Sequence, residues 1–127
     1  MENKWNDKAI LAAVRRRLVD KLEVAGKFVE DSAKLLVAVD TGNLRGSITH
    51  KVDEAQLSCR IGTNVEYAPY LEFGTGEFAE NGQGRKGGWF FTDTDGKTHF
   101  TLGNKPQPFL RPALLENKAA IKKMLEL

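Results

Sequence analysis

The segment EYAPYLEFGTG, residues 66–76, sets two carboxylates, Glu66 and Glu72, beside Tyr67, Tyr70 and Phe73. Paired carboxylates can act as general acid and base when they stand about 5–10 Å apart across a scissile bond. Six residues apart on a helix, the two side chains point in different directions, because six steps of about 100° do not close a turn. The spacing therefore predicts surface or turn roles for both. Tyr67 or Tyr70 can serve as a general acid only with a cause for a shifted pKa, and the sequence supplies none. Gly74-Thr75-Gly76 is a fragment of a phosphate loop without its Gly-Lys-Ser/Thr ending.

The remaining reactive residues are scattered. Cys59 is the single cysteine, which excludes an intrachain disulfide. Its place in the alternating run Leu57-Ser58-Cys59-Arg60-Ile61 reads as a small buried apolar residue rather than a nucleophilic thiol. His50 and His99 lie far apart in strand-like contexts, and no His/Cys/Asp grouping has ligand spacing, so no structural or catalytic metal is expected. Ser32, Ser47 and Ser58 stand outside any nucleophile elbow. No catalytic constellation assembles, and a non-enzymatic role is expected.

These residues must be held by a chain of 127 residues with 41% hydrophobic and 28% charged content. That is enough for one domain with one core. The net charge of +2 comes from 19 basic and 17 acidic residues, which does not mark a dedicated nucleic-acid binder. Arg15-Arg16-Arg17 is the one dense basic run and reads as a solvated helix face. No apolar run approaches the roughly 18–20 residues that span a bilayer, and the start MENKWNDKAI lacks the pattern of a secretory signal. Folding in a cytoplasm, without a membrane partner, is expected.

Residues 1–38 read as one long helix. Ile10, Val14, Leu18, Leu22, Ala25, Val29, Ser32 and Leu36 recur in steps of three and four. Asn6 or Asp7 can cap its start, and it should end near Val39. About 30 helical residues extend about 45 Å. Such a rod either overreaches its own core or packs on a neighbouring subunit. Asp40, Thr41, Gly42 and Asn43 give turn chemistry, with Gly42 expected in a backbone region other residues resist and Leu44 plugging back onto the helix end. Ser47–Val52 and Leu57–Ile61 alternate as a hairpin closed by residues 53–56. Glu66–Phe73 reads as a short helix with Pro69 in its first turn and Gly74 as its stop. Its rings cannot all face inward.

Six glycines in residues 74–88 predict a flexible loop. Trp89–Thr92 and Thr98–Leu102 then pair around Asp95-Gly96. Pro106 and Pro108 hold the approach to a last helix extended, and Leu110, Leu114, Ile121 and Leu125 mark that helix's apolar face. The predicted fold class is α+β: a long N-terminal helix, a small antiparallel sheet of about four strands, a short middle helix, and a C-terminal helix packed on the sheet. Residues 1–127 form a single domain, with a flexible loop and hairpin arm at about 75–105.

Three blocks, VDTGNLRGSI (39–48), IGTNVEYAPYLEFGTG (61–76) and PFLRPAL (108–114), occur in that order. Together they resemble the tail-component family of lambdoid HK-type phages, the gene-product-ten-like family. Residues 77–105 match none of the blocks. The resemblance implies a small α+β protein of the neck or tail-completion region of a long-tailed bacteriophage or prophage. Such a protein is a subunit of a ring, commonly six-fold, with no catalysis and no cofactor. Implied partners are further copies of the chain, head-connector or head-closure proteins, and the tail tube or tail terminator protein. The implied location is the virion tail or neck, with assembly in the host cytoplasm.

A ring needs two different patches that meet on adjacent copies. The overlong first helix and the aromatic corner are suitable opposites. The corner comprises Tyr67, Tyr70, Glu72, Phe73 and Gly74 above a turn of Asp40, Gly42, Leu44 and Arg45, with Arg45 or Arg111 neutralising Glu72. These residues either meet a neighbour or only pack the chain's own core. Arg85, Lys86 and Trp89 form an arm able to face phage DNA in a channel. The alternative function is a nucleic-acid-binding module that uses Arg15–Arg17 and the arm, beside Trp89 and Phe90.

Overall fold

The computed structural model describes residues 7–37 and 42–126. The periodic stripe forms one helix, α1 (Asp7–Leu36), which buries Ala25, Gly26, Val29, Glu30 and Ala33. Its first three turns, residues 7–17, are exposed on every side. The drift of a 3.6-residue helix moves the core contact from the expected Ser32 and Leu36 to Ala33 and Val37. The expected end at Val39, and Asp40 with it, lie outside the described residues.

Of the expected turn, Asp40 and Thr41 lie outside the described residues, while Gly42 and Asn43 open a short helix, α2 (Gly42–Ser47). It drops Leu44 fully into the core beside Ile48, Ala68, Phe109 and Ala113. Strands β1 (Thr49–Asp53) and β2 (Ser58–Gly62) form an antiparallel hairpin with His50 opposite Ile61 and Val52 opposite Cys59. The hairpin lies on α1.

Gly26 makes that approach possible. A Cβ there would come within 2.5 Å of Cys59 Sγ and 2.9 Å of His50 Cδ2. Gly26→Ala should gain up to about 1 kcal/mol in helix propensity and lose about 1–3 kcal/mol by overpacking. The expected net is a lower melting temperature. A Gly26→Ala chain that melts higher than wild type would show that the interface yields freely.

Helix α3 (Ala68–Phe73) carries Pro69 in its first turn and is stopped by Gly74, whose φ is 81°. The Gly74 N–H donates to Tyr70 O at 2.9 Å. A side chain at Gly74 would also meet the carbonyl oxygens of Phe78 and Asn104 at 2.8 and 3.0 Å. Beyond a single 3-10 turn (Gly76–Phe78), the base of the glycine-rich segment is tied to the strand that returns from the arm. Thr75 N donates to Asn104 O and Glu77 N to Leu102 O, each at 2.9 Å. Strands β3 (Trp89–Thr92) and β4 (Thr98–Thr101) then pair, with Phe90 opposite Phe100 and Phe91 opposite His99.

Two expectations need correction. The four strands do not share a sheet but form two separate hairpins, β1-β2 and β3-β4. The Pro69-led helix and the tied loop carry the chain away from the first hairpin before the second begins. The C-terminal helix is two helices, α4 (Leu110–Leu115) and α5 (Lys118–Leu125), and both pack along α1 rather than chiefly on a sheet. Asn117 causes the break. Its side-chain Nδ2 donates to Ala113 O at 2.8 Å, taking the carbonyl that its own backbone N–H would reach in a continuous helix. The same nitrogen reaches Ser32 Oγ on α1 at 3.3 Å.

Candidate functional site

Helix α4 begins at Phe109, a residue with no side-chain oxygen to cap the free backbone N–H groups of a helix start. Glu72 supplies the missing acceptors from α3. Its Oε1 accepts from Phe109 N at 3.1 Å and Leu110 N at 2.8 Å. Its Oε2 accepts from Arg111 N at 3.4 Å and Arg111 Nε at 2.9 Å. Glu72 is thus buried, which corrects the surface role predicted for it; Glu66 is exposed as expected. Burial alone would raise the Glu72 pKa, but the bonds from Leu110, Arg111 and Phe109 outweigh it and hold the carboxyl below its ordinary range.

Arg111 ties the surrounding elements together. It donates to the Glu72 backbone oxygen at 2.8 Å, and its two terminal nitrogens donate to Glu80 at 2.8 and 3.0 Å. Its guanidinium lies over the Phe73 ring, 4.6 Å from the centroid. Of the two arginines proposed to neutralise Glu72, the structure selects Arg111. Arg45 instead donates to Val37 O at 2.9 Å, closing the end of α1. Leu44 lies in the same core cluster as Ala68 of α3. Ser47 at the end of α2 is hydrogen-bonded to Thr63, on the approach to α3.

Above this buried knot the rings point outward. Tyr67, Tyr70 and Phe73 are 41%, 62% and 47% exposed. Beside them runs an open groove of about 930 Å³, lined by Pro69, Tyr70, Phe73, Ala79, Arg85 and Trp89 among others. Arg85 lies over the Trp89 ring at 5.4 Å, while Lys86 is exposed. Arg15 donates to the carbonyls of Glu54 and Ala55 at 3.1 and 3.0 Å, so it clamps the β1-β2 turn. It is less free for a phosphate than the basic run suggested.

A second polar cluster escaped the reading of the motifs. His50 sits between two glutamates of α1, with Nδ1 3.0 Å from Glu30 Oε1 and Nε2 2.9 Å from Glu23 Oε2. Glu30 is buried and also accepts from Lys27 at 2.9 Å and Lys34 at 3.2 Å. The signal was present: an acid within the dry stripe of α1 and a histidine on the apolar face of β1. The Cys59 thiol lies next to this cluster, yet both His50 nitrogens are engaged by carboxylates. Burial, with the Glu23 charge, pushes the thiol pKa up, which is the opposite of nucleophile activation. Among the described residues no group of three or more His, Cys, Asp or Glu could hold a metal ion, and no helix is long and apolar enough to cross a membrane.

An α+β chain in which a buried glutamate and its half-exposed arginine stand beneath a set of exposed rings falls, by comparison with known families, in the class of bacteriophage structural components. The model of the family described as "Bacteriophage HK97-gp10, putative tail-component" matches residues 7–74, from the first residue of α1 to the glycine that stops α3. The chain belongs to this HK97-gp10-like family of phage tail components. The block at 108–114, with Arg111, lies beyond the matched residues. No curated protein and no solved structure matches the chain.

Proposed function

We propose that this chain is a non-enzymatic subunit of a ring in the neck or tail-completion region of a long-tailed phage, where it joins head to tail beside connector and tail-tube proteins. Its place is then the virion. The observation that carries the reading is the contrast at α3. Glu72 and Arg111 are committed to internal contacts, while Tyr70 and Phe73, on the same helix as Glu72, and Tyr67 at its start are exposed to solvent. Pre-ordered aromatic residues with polar tips are favoured contact groups at protein interfaces. The nucleic-acid alternative loses ground, because Arg15 is bound to the hairpin turn and Arg85 lies on the Trp89 ring it would have to share with a base.

Tyr70→Ala tests the reading in a phage that depends on this gene. The expected result is a loss of complete virions, with head and tail accumulating apart, while the purified chain melts within about 1–2 °C of wild type, as an exposed substitution should. Complete virions at normal yield would refute the reading. A large fall in melting temperature would place Tyr70 in the chain's own packing instead.

A further inference from the structure

We infer that Asn81 is a site of spontaneous deamidation, which sets a new carboxylate in the wall of the groove beside α3. Of the asparagines in the chain, Asn81 alone is followed by glycine. Asparagine is a thermally labile residue, and the step needs only water. The backbone nitrogen of Gly82 attacks Asn81 Cγ and forms a C–N bond. The side-chain nitrogen leaves as ammonia and takes the proton of the Gly82 N–H. Water then opens the cyclic imide at one carbonyl or the other, giving aspartate or the rearranged isoaspartate.

The geometry favours that attack. Residues 81–83 are exposed, and nothing lies within 4 Å of where a Gly82 Cβ would stand. Neither a side chain nor a neighbour therefore shields the Gly82 nitrogen. The Gln83 N–H donates to Asn81 Oδ1 at 2.9 Å. That bond folds the side-chain amide back along its own backbone. Its donor stands at the oxygen that turns negative as Cγ is attacked. The Gly82 N–H donates to Ala79 O at 3.0 Å, in an exposed turn that opens at little cost. The other described asparagines lack this arrangement. Asn64 precedes Val65, whose branched side chain crowds the attacking nitrogen. Asn43 lies within α2, and Asn104 is tied to Thr75 at both its N–H and its carbonyl. Asn117 Nδ2 is bound to Ala113 O and Ser32 Oγ. Asp95-Gly96 offers a similar backbone, but a carboxylate is a poor target for a nucleophile. Asn81 lines the groove with Glu80 and Arg85. The new charge thus stands next in sequence to the acid that holds the Arg111 guanidinium.

Peptide mapping of the full chain tests this. The folded chain is held in mildly alkaline buffer, and samples taken over time are digested with trypsin and read by mass spectrometry. The fragment 61–85 contains both Asn64 and Asn81. The mass gain of oxygen replacing NH should appear at Asn81, in two chromatographic products, while Asn64 in the same fragment stays intact. A synthetic peptide of residues 77–88 gives the rate of the unconstrained sequence. The folded chain should react within about tenfold of it, a barrier difference of about 1.4 kcal/mol. Gly82→Ala should slow the reaction by about tenfold or more, by crowding the nitrogen. Alanine is strained at the Gly82 φ of 70°. Asn81→Gln, an exposed and unstrained change, therefore serves as the second variant and should abolish the mass gain at this position. A folded chain slower than the peptide by more than about tenfold would overturn the inference. So would a mass gain at Asn64 as fast as at Asn81, or one at position 81 that persists in Asn81→Gln.

Discussion

Glu72→Ala should lower the stability of the chain by about 3 kcal/mol, the cost of leaving buried backbone N–H donors without an acceptor, because its ion-pair partner Arg111 is half-exposed and still reaches Glu80. A small domain has about 5–15 kcal/mol in total, so the variant should lose a large share of its stability. The cost arises at two places. The Phe109, Leu110 and Arg111 N–H groups lose their acceptor, and Phe109, itself fully buried, cannot replace it. Arg111 keeps Glu80 but loses the carboxylate that aligns it over the Phe73 ring. Glu72→Gln keeps the shape and one acceptor oxygen, yet turns an NH2 group toward a set of donors. It should cost less, about 1–3 kcal/mol.

Urea titration across pH separates these effects. The folded carboxyl of Glu72 has a lowered pKa. Its contribution is therefore complete above the unfolded value near 4.5 and is lost as pH falls through the folded value. Glu72→Gln should flatten that acid limb. A Glu72→Ala chain as stable as wild type would show that α4 finds another cap.

Glu72 also shows where a sequence stops being legible. Its neighbours along the chain are rings, a proline and a glycine, from which a short helix and its stop can be read. What makes Glu72 buried is the need of three backbone N–H groups 37 to 39 residues away, and backbone donors look alike in every sequence. Features fixed by local chemistry were readable. Pro69 and Gly74 bracket α3, the period of α1 marks one long helix, alternation marks β1 and β2, and Asp95-Gly96 marks the turn between β3 and β4. The separation of the two hairpins and the packing of α4 and α5 on α1 depend on the path of the chain between elements, which no periodicity encodes. Asn117 lies between. Its power to interrupt a helix is a local property, but it breaks this one because its side chain is also drawn toward Ser32 on α1. Of the residues proposed for the corner, Leu44 and Glu72 became core and the tyrosines became surface. Composition alone could not divide them, because the division depends on which face of α3 meets α2 and α4.

The His50 cluster should give the chain a stability maximum in mildly acidic solution. Burial would raise the Glu30 pKa, but hydrogen bonds from Lys27, His50 and Lys34 together hold it at about 2, below the ordinary 4.5. Its contribution is complete above 4.5 and fades as pH falls toward 2. The His50 pKa is raised, first by its bond to Glu30 and then by Glu23, against a smaller effect of burial. Its contribution is complete below the unfolded value of 6.5 and is lost as pH rises through the folded one. A neutral imidazole can donate from only one nitrogen, so above that point either Glu23 or the buried Glu30 loses its bond. The hairpin, with Cys59 pressed on Gly26, is then held to α1 by fewer contacts. Glu30→Gln should cost about 3 kcal/mol near pH 6, the linkage equivalent of the displaced titration. Because Glu30 is the first cause of the raised His50 value, the same variant should also bring the alkaline loss to lower pH. Melting temperatures from pH 3 to pH 9 measure both limbs. A wild-type profile that climbs steadily through pH 8, or a Glu30→Gln profile parallel to it, would show that His50 is held in place by packing alone.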